Sequence, residues 1–203
     1  MLGADVGAGG GLKTFEEVER VGALLGRLRC GWYVCGGWAI DLFLGRVTRA
    51  HKDVDVAVAR RDQSEVQDYL RRRGWGLETA VGGVLTPWGA GERLELPVHA
   101  VWCRNGAHEP PFFEVLLNEI DGELFRFRRD PALTLPRARM SFVSETGLPV
   151  LAPEIVLLYK SSSPGEHAED FRHAAPALAA ESRAWLKGAL ERVAPRHPWA
   201  GEL

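Results

Sequence analysis

Between residues 32 and 73 the chain alternates in a way that few folds accommodate. The apolar run WYVC closes on the paired glycines Gly36 and Gly37, and WAIDLFLG then supplies a short helix ending at Gly45. Residues 46–53 are polar loop, VDVAVA (54–59) is a β-branched strand, and residues 62–73 have helical spacing. Upstream, TFEEVERVGALLGRLR (14–29) sets Phe15, Val18, Val21, Leu24, Leu25 and Leu28 on one helical face, with Thr14 and Glu17 spaced as a capping box. The order is α-β-α-β-α, which predicts a sheet flanked by helices.

Beyond residue 74, WGLETA (75–80), LPVHAVWCR (96–104) and PFFEVLLNEI (111–120) read as further strands of one mixed or antiparallel sheet, with a hairpin at Asp121-Gly122 before ELFRFRR. From about residue 150, LAPEIVLLYKS, EHAEDFRHAAPALA and SRAWLKGALERV all carry helical periodicity. The expected fold class is therefore α+β: a mixed-sheet core over residues 14–148, a helical C-terminal subdomain over 149–203, and a glycine-rich leader over 1–13. The length, 203 residues, supports such a core without staples. Three cysteines, Cys30, Cys35 and Cys103, are too few and wrongly spaced for a zinc site or a disulfide framework, so a reducing cytoplasm is the expected compartment. No apolar run reaches the length of a membrane span, and no membrane partner is expected.

The chemistry concentrates in GGWAIDLFLGRVTRAHKDVDVAV (36–58). Side chains alternate faces along a strand, so Asp53 and Asp55 point the same way with Cα atoms roughly 6.6 Å apart. Two carboxylates on one face repel unless a cation sits between them, and Mg²⁺ with its preference for oxygen ligands is the usual solution. A solvated strand end is the bland alternative. Gly36 and Gly37 fall at a strand-to-helix turn, where backbone N–H groups can approach an anion and the helix dipole favours negative charge; a plain tight turn would use them equally well. Arg46, Arg49 and His51 crowd the intervening loop.

Taken together, the glycine pair, short helix and R-x-H-x-D-x-D resemble the signature of the nucleotidyltransferase superfamily related to DNA polymerase β, of the aminoglycoside adenylyltransferase type. The resemblance is tight over residues 34–60 and extends in outline through FFEVLLNE and LAPEIVLLYKS. It implies that Asp53 and Asp55 hold two Mg²⁺ ions bridging a nucleoside triphosphate, most simply ATP, while an acceptor hydroxyl attacks the α-phosphorus and pyrophosphate leaves. It also implies a third carboxylate on a neighbouring strand. Glu114 is the candidate, since Phe113 and Val115 would face away; Glu119 and Asp121 lie nearer the turn. Metal ligation and general-base duty both stay open for Glu114. For the nucleotide, the resemblance points to Gly36, Gly37, Arg49, His51 and Lys160; loop solvation and a helix C-terminal charge are the competing explanations for the basic residues. Asp41 on the short helix orients the loop or faces water. Related sequences carry basic residues just before the equivalent of Asp170, whereas Glu166, His167 and Glu169 stand here.

The implied function is transfer of AMP onto a hydroxyl of a small molecule such as an aminoglycoside. The same chemistry on a tRNA or protein acceptor, and a non-catalytic nucleotide-binding regulatory module, are the alternatives. With 25 basic against 27 acidic residues, net charge −2, no field invites a long nucleic acid. All but four of the basic residues are arginine, which codon bias explains apart from Arg49. The stretch VGGVLTPWGAGERLE (81–95) reads as a polar surface loop; otherwise Trp88 borders an acceptor pocket with Glu92 and Glu95 drawing in a cation.

Overall fold

The computed structural model describes residues 14–203; the leader expected over residues 1–13 lies outside them. The chain runs α1 (Glu16–Leu25), β1 (Trp32–Cys35), α2 (Gly36–Leu44), β2 (Asp55–Ala59), α3 (Gln63–Arg71), β3 (Gly76–Val81), β4 (Val84–Pro87), β5 (Ala100–Arg104), β6 (Phe112–Asp121) and β7 (Leu124–Arg126). It continues with β8 (Thr134–Pro136), β9 (Ser141–Val143), β10 (Pro149–Leu151), α4 (Pro153–Lys160), α5 (Ala168–Ala174) and α6 (Ala180–Val193). The α+β expectation is met.

The sheet order is β4-β3-β5-β6-β2-β1-β10-β9, with β7 and β8 added as a ribbon on β6. Two pairings, β2 with β6 and β1 with β10, are parallel and the rest antiparallel. Alternation explains how the sheet seats its core. On β2, Val56 and Val58 bury one face, and on β6 Phe113, Val115 and Leu117 do the same. The opposite face carries Asp55 and Glu114. Helices α2, α4 and α5 pack on one another, and α1 is tied to α3 where the Tyr69 hydroxyl donates to the Leu24 carbonyl at 2.5 Å. Strand β10, just past the expected boundary at residue 148, is bonded into the same sheet, and α6 adds Leu186 and Leu190 to the same buried cluster. Among the described residues no helix is long and apolar enough to cross a membrane.

Three local expectations fail. The capping box does not form: α1 starts at Glu16 after an N-cap at Phe15 that no side chain caps, and it ends at Leu25, short of residue 29. Glycine density in 81–95 conceals strand β4, which pairs with β3 from Val81↔Val84 to Glu78↔Pro87. Trp88 does not border a pocket; it is 1% exposed, with its indole N–H donating to the Glu92 carbonyl at 2.9 Å. The buried Gln67 fastens this segment from below, bonding Gly89 and Gly91 of the main chain. Both ends of the sheet remain open. Val84 on β4 is 64% exposed and Val143 on β9 is 72% exposed.

Candidate active site

The site is organised by one row across the sheet. Cys35, Asp55, Glu114, Trp102 and Glu78 are successive register partners on β1, β2, β6, β5 and β3, so their side chains share one face. Asp55 and Glu114 therefore stand side by side on parallel strands, and Asp53 precedes them in the loop entering β2. Electrostatics register the crowding. Burial, then Asp53, pushes the Asp55 carboxyl up to about 6; burial, then Asp55 and Asp53, pushes Glu114 up to about 7. Glu119 is engaged elsewhere, accepting from Arg60 Nε at 2.6 Å, and Asp121 is exposed at the end of β6.

Two glycines make room for this carboxylate. Gly36 has φ +65°, and a Cβ there would lie 1.8 Å from Asp55 Oδ2. At Gly37 a Cβ would lie 2.4 Å from His51 Nδ1 and 2.5 Å from Arg49 Nη2. The pair thus lets a carboxylate, an imidazole and a guanidinium settle against the first turn of α2, the end of the helix that favours an anion.

The loop between α2 and β2 is tied down from both sides. His51 Nε2 lies 2.6 Å from Asp41 Oδ2, with the two side chains 3% and 0% exposed, and Thr48 Oγ1 donates to Asp41 Oδ1 at 2.5 Å. Of the two readings of Asp41, the structure selects the one that orients the loop. The His51 ring also packs on Trp38, centroids 4.3 Å apart. Arg49 reaches across the molecule to Asp170, through Nε at 2.8 Å and Nη2 at 3.0 Å. Lys160 Nζ bonds the same carboxylate at 2.8 Å. Two cations outweigh burial and bring Asp170 down to about 2.

The eight residues singled out from sequence thus lie in one neighbourhood: Asp53, Asp55, Glu114, Gly36, Gly37, Arg49, His51 and Lys160. What sequence reasoning missed is the partner set. Asp170 was only a landmark in an aberrant segment, yet it is the counter-ion of both Arg49 and Lys160. Arg128 and Arg129, which share a cavity with Asp55, Gly36 and Lys160, offered only the run FRFRR as a signal, and His99 of the same cavity offered none.

Does this chemistry fit Mg²⁺? Asp55 and Glu114, both with raised proton affinity, stand with Asp53 as a local surplus of carboxylates, and the cations acting on Asp55, Lys160 first and then His51 and Arg49, are each bonded to another carboxylate. All-oxygen donors suit a hard cation. Among the described residues no group of three His, Cys, Asp or Glu side chains is placed to hold a metal ion by itself. An ion held here would take the rest of its shell from phosphate oxygens and water, as Mg²⁺ commonly does.

Residues 17–108 match the family model described as aminoglycoside-2''-adenylyltransferase. No curated protein sequence matches the chain. Among solved structures, the solution structure of the antibiotic-resistance factor ANT(2'')-Ia aligns with TM-score 0.60 and 18% identity over 93% of this chain and 97% of that one. ANT(2'')-Ia in complex with adenylyl-2''-tobramycin aligns with TM-score 0.61 and 18% identity, over 87% and 97%. Lincomycin-bound LnuA, a lincosamide antibiotic adenylyltransferase, gives TM-score 0.50 and 14% identity over 87% and 96%. Likeness at this identity establishes a shared fold.

Proposed function

We propose that this chain, which matches the aminoglycoside-2''-adenylyltransferase model over residues 17–108 and shares the fold of ANT(2'')-Ia, is a nucleotidyltransferase that transfers AMP from ATP to a hydroxyl of a small molecule, releasing pyrophosphate. The observation that carries this reading is the register pairing of Asp55 with Glu114, beside Asp53 and against the first turn of α2. The acceptor is of the antibiotic class that the neighbouring structures name, an aminoglycoside or a lincosamide.

Asp53 and Asp55 would hold Mg²⁺, with Glu114 beside them. The metal, when bound, neutralises phosphate charge and steadies both the attacking and the leaving oxygen. The acceptor oxygen bonds to the α-phosphorus, the bond to pyrophosphate breaks, and the hydroxyl proton must go to a base. Glu114 has the proton affinity for that task near neutral pH and the position for metal ligation. The first turn of α2, with Arg49 and His51 packed against Gly37, faces the phosphates. Displacement in line requires acceptor and leaving group on opposite sides. The half-exposed Trp102 and Phe112, whose rings meet edge-on with centroids 5.3 Å apart, offer the acceptor an apolar floor next to Glu114.

The test is direct. Purified protein is given ATP, Mg²⁺ and a panel of aminoglycosides and lincosamides, and pyrophosphate release and AMP-modified antibiotic are measured. Asp53→Asn and Asp55→Asn should each lower turnover by more than about 10²-fold while circular dichroism stays native. Full activity in both variants would refute the reading.

A further inference from the structure

A cavity of about 320 Å³ opens beside Gly36 and Asp55 and is walled by β6, α4 and the turn that follows β7. Of the carboxylate cluster just described Asp55 lines it, and its basic lining is His99, Arg128, Arg129 and Lys160. Two of these four residues are engaged by neighbours. Lys160 is neutralised by Asp170, and the exposed Arg129 donates Nη1 to the Tyr159 carbonyl at 3.1 Å.

Arg128 is not accounted for. It is partly buried, with its guanidinium 5.6 Å from the centroid of the Tyr159 ring, and no carboxylate stands at ion-pair distance from it among the described residues. Glu119, which favours its charge, is already bonded to Arg60 at 2.6 Å. Burial and the like charges of Arg129 and Arg60 act against its protonated form, and burial followed by the same three arginines holds His99 below its ordinary range. A cation partly withdrawn from water and left without a counter-charge gains from an anion brought beside it. The Tyr159 ring beneath it is fixed, since its hydroxyl donates to Asn118 Oδ1 at 3.2 Å.

One cavity thus holds a carboxylate of the candidate metal site, Asp55, and a guanidinium with no carboxylate at ion-pair distance among the described residues, Arg128. A polyphosphate carrying a divalent ion satisfies both, and its planar recognition suits the arginine fork. We propose that Arg128 is a phosphate anchor, receiving the terminal phosphates of the nucleoside triphosphate and holding pyrophosphate as it leaves. This is a subsite separate from the glycine turn of α2, and it rests on the nucleotidyltransferase reading above.

Calorimetric titration of the full chain with ATP, AMP and pyrophosphate, each with Mg²⁺, tests it. Arg128→Gln should weaken ATP and pyrophosphate at least tenfold and AMP less than twofold, with Arg128→Lys in between because it restores the charge without the fork. Unchanged pyrophosphate affinity in Arg128→Gln, or an equal loss for AMP, overturns the assignment. If Arg128→Gln does not fold, wild-type protein decides: pyrophosphate must shield Arg128 from phenylglyoxal, read by peptide mass mapping, and AMP must not. Equal modification with and without pyrophosphate overturns it. Wild-type protein that binds none of the three ligands refutes the nucleotidyltransferase reading itself, whereas ATP binding that survives Arg128→Gln unchanged refutes Arg128 alone.

Discussion

Asp55 and Glu114 hold their protons more tightly than free carboxylates do, and that has a consequence for stability. Their folded values, about 6 and about 7, lie above the ordinary 3.8 and 4.5. Between those limits the folded chain keeps protons that the unfolded chain has released, so stability drawn from this pair falls as pH rises from about 4 to about 7 and then levels off. Asp170 has the opposite sign. Its folded value of about 2 lies below 3.8, so its contribution is complete above 3.8 and disappears as pH falls toward 2. Differential scanning calorimetry without metal should therefore show the melting temperature of wild type declining across pH 4–7 more steeply than that of Asp55→Asn. Millimolar Mg²⁺ at pH 8 should recover most of the difference, because a metal replaces the displaced protons. Parallel pH profiles for the two proteins would contradict this account.

At the scale of elements, the loop between α2 and β2 depends on groups remote in sequence. Arg49 and Asp170 are 121 positions apart, and Lys160 joins them from the end of α4. Asp170→Asn removes the shared counter-charge and leaves two cations facing each other, at a cost of about 3 kcal/mol, or on the order of 10 °C in Tm for a chain of this size. Added sulfate should restore more of that loss in the variant than in wild type; a Tm within 2 °C (roughly 0.5–1 kcal/mol) of wild type would contradict the role assigned to Asp170. The contrast with what sequence disclosed is instructive. The span from β1 to α3 was legible because each of its elements is announced locally, by β-branched residues, by helical spacing, or by glycines at the turn and at the αL cap Gly45. Strands β4, β8, β9 and β10 were not. Each is three or four residues long and is defined by hydrogen bonds to partners that periodicity within a window cannot reveal. Asp53, Asp55 and Glu114 could be nominated because strand alternation sets the face of a side chain. Asp170 and Arg128 take their meaning from groups remote in sequence, Asp41 from a loop that folds back on its own helix, and the burial of Trp88 comes from Gln67 and Glu92 anchoring a glycine-rich backbone.

Over the whole molecule, the net charge of −2 averages over a site that is far from uniform. Carboxylates gather on the row through β2 and β6, Arg128 and Arg129 line the same cavity as Asp55, and the sheet is the frame on which the row stands. That frame has two loose ends. Strands β4 and β9 terminate the sheet, each with one edge that no further described strand pairs, and with Val84 and Val143 held out to solvent. Such borders are templates on which another chain can add. On concentration or slow refolding, turbidity should therefore begin at the sheet's borders and not in the catalytic cleft. Val84→Lys with Val143→Lys should delay it, measured by light scattering, with kcat unchanged; an identical onset would place the liability elsewhere. The shelf life of this protein is then set at the rim of its sheet, and it can be lengthened without touching the proposed active-site residues.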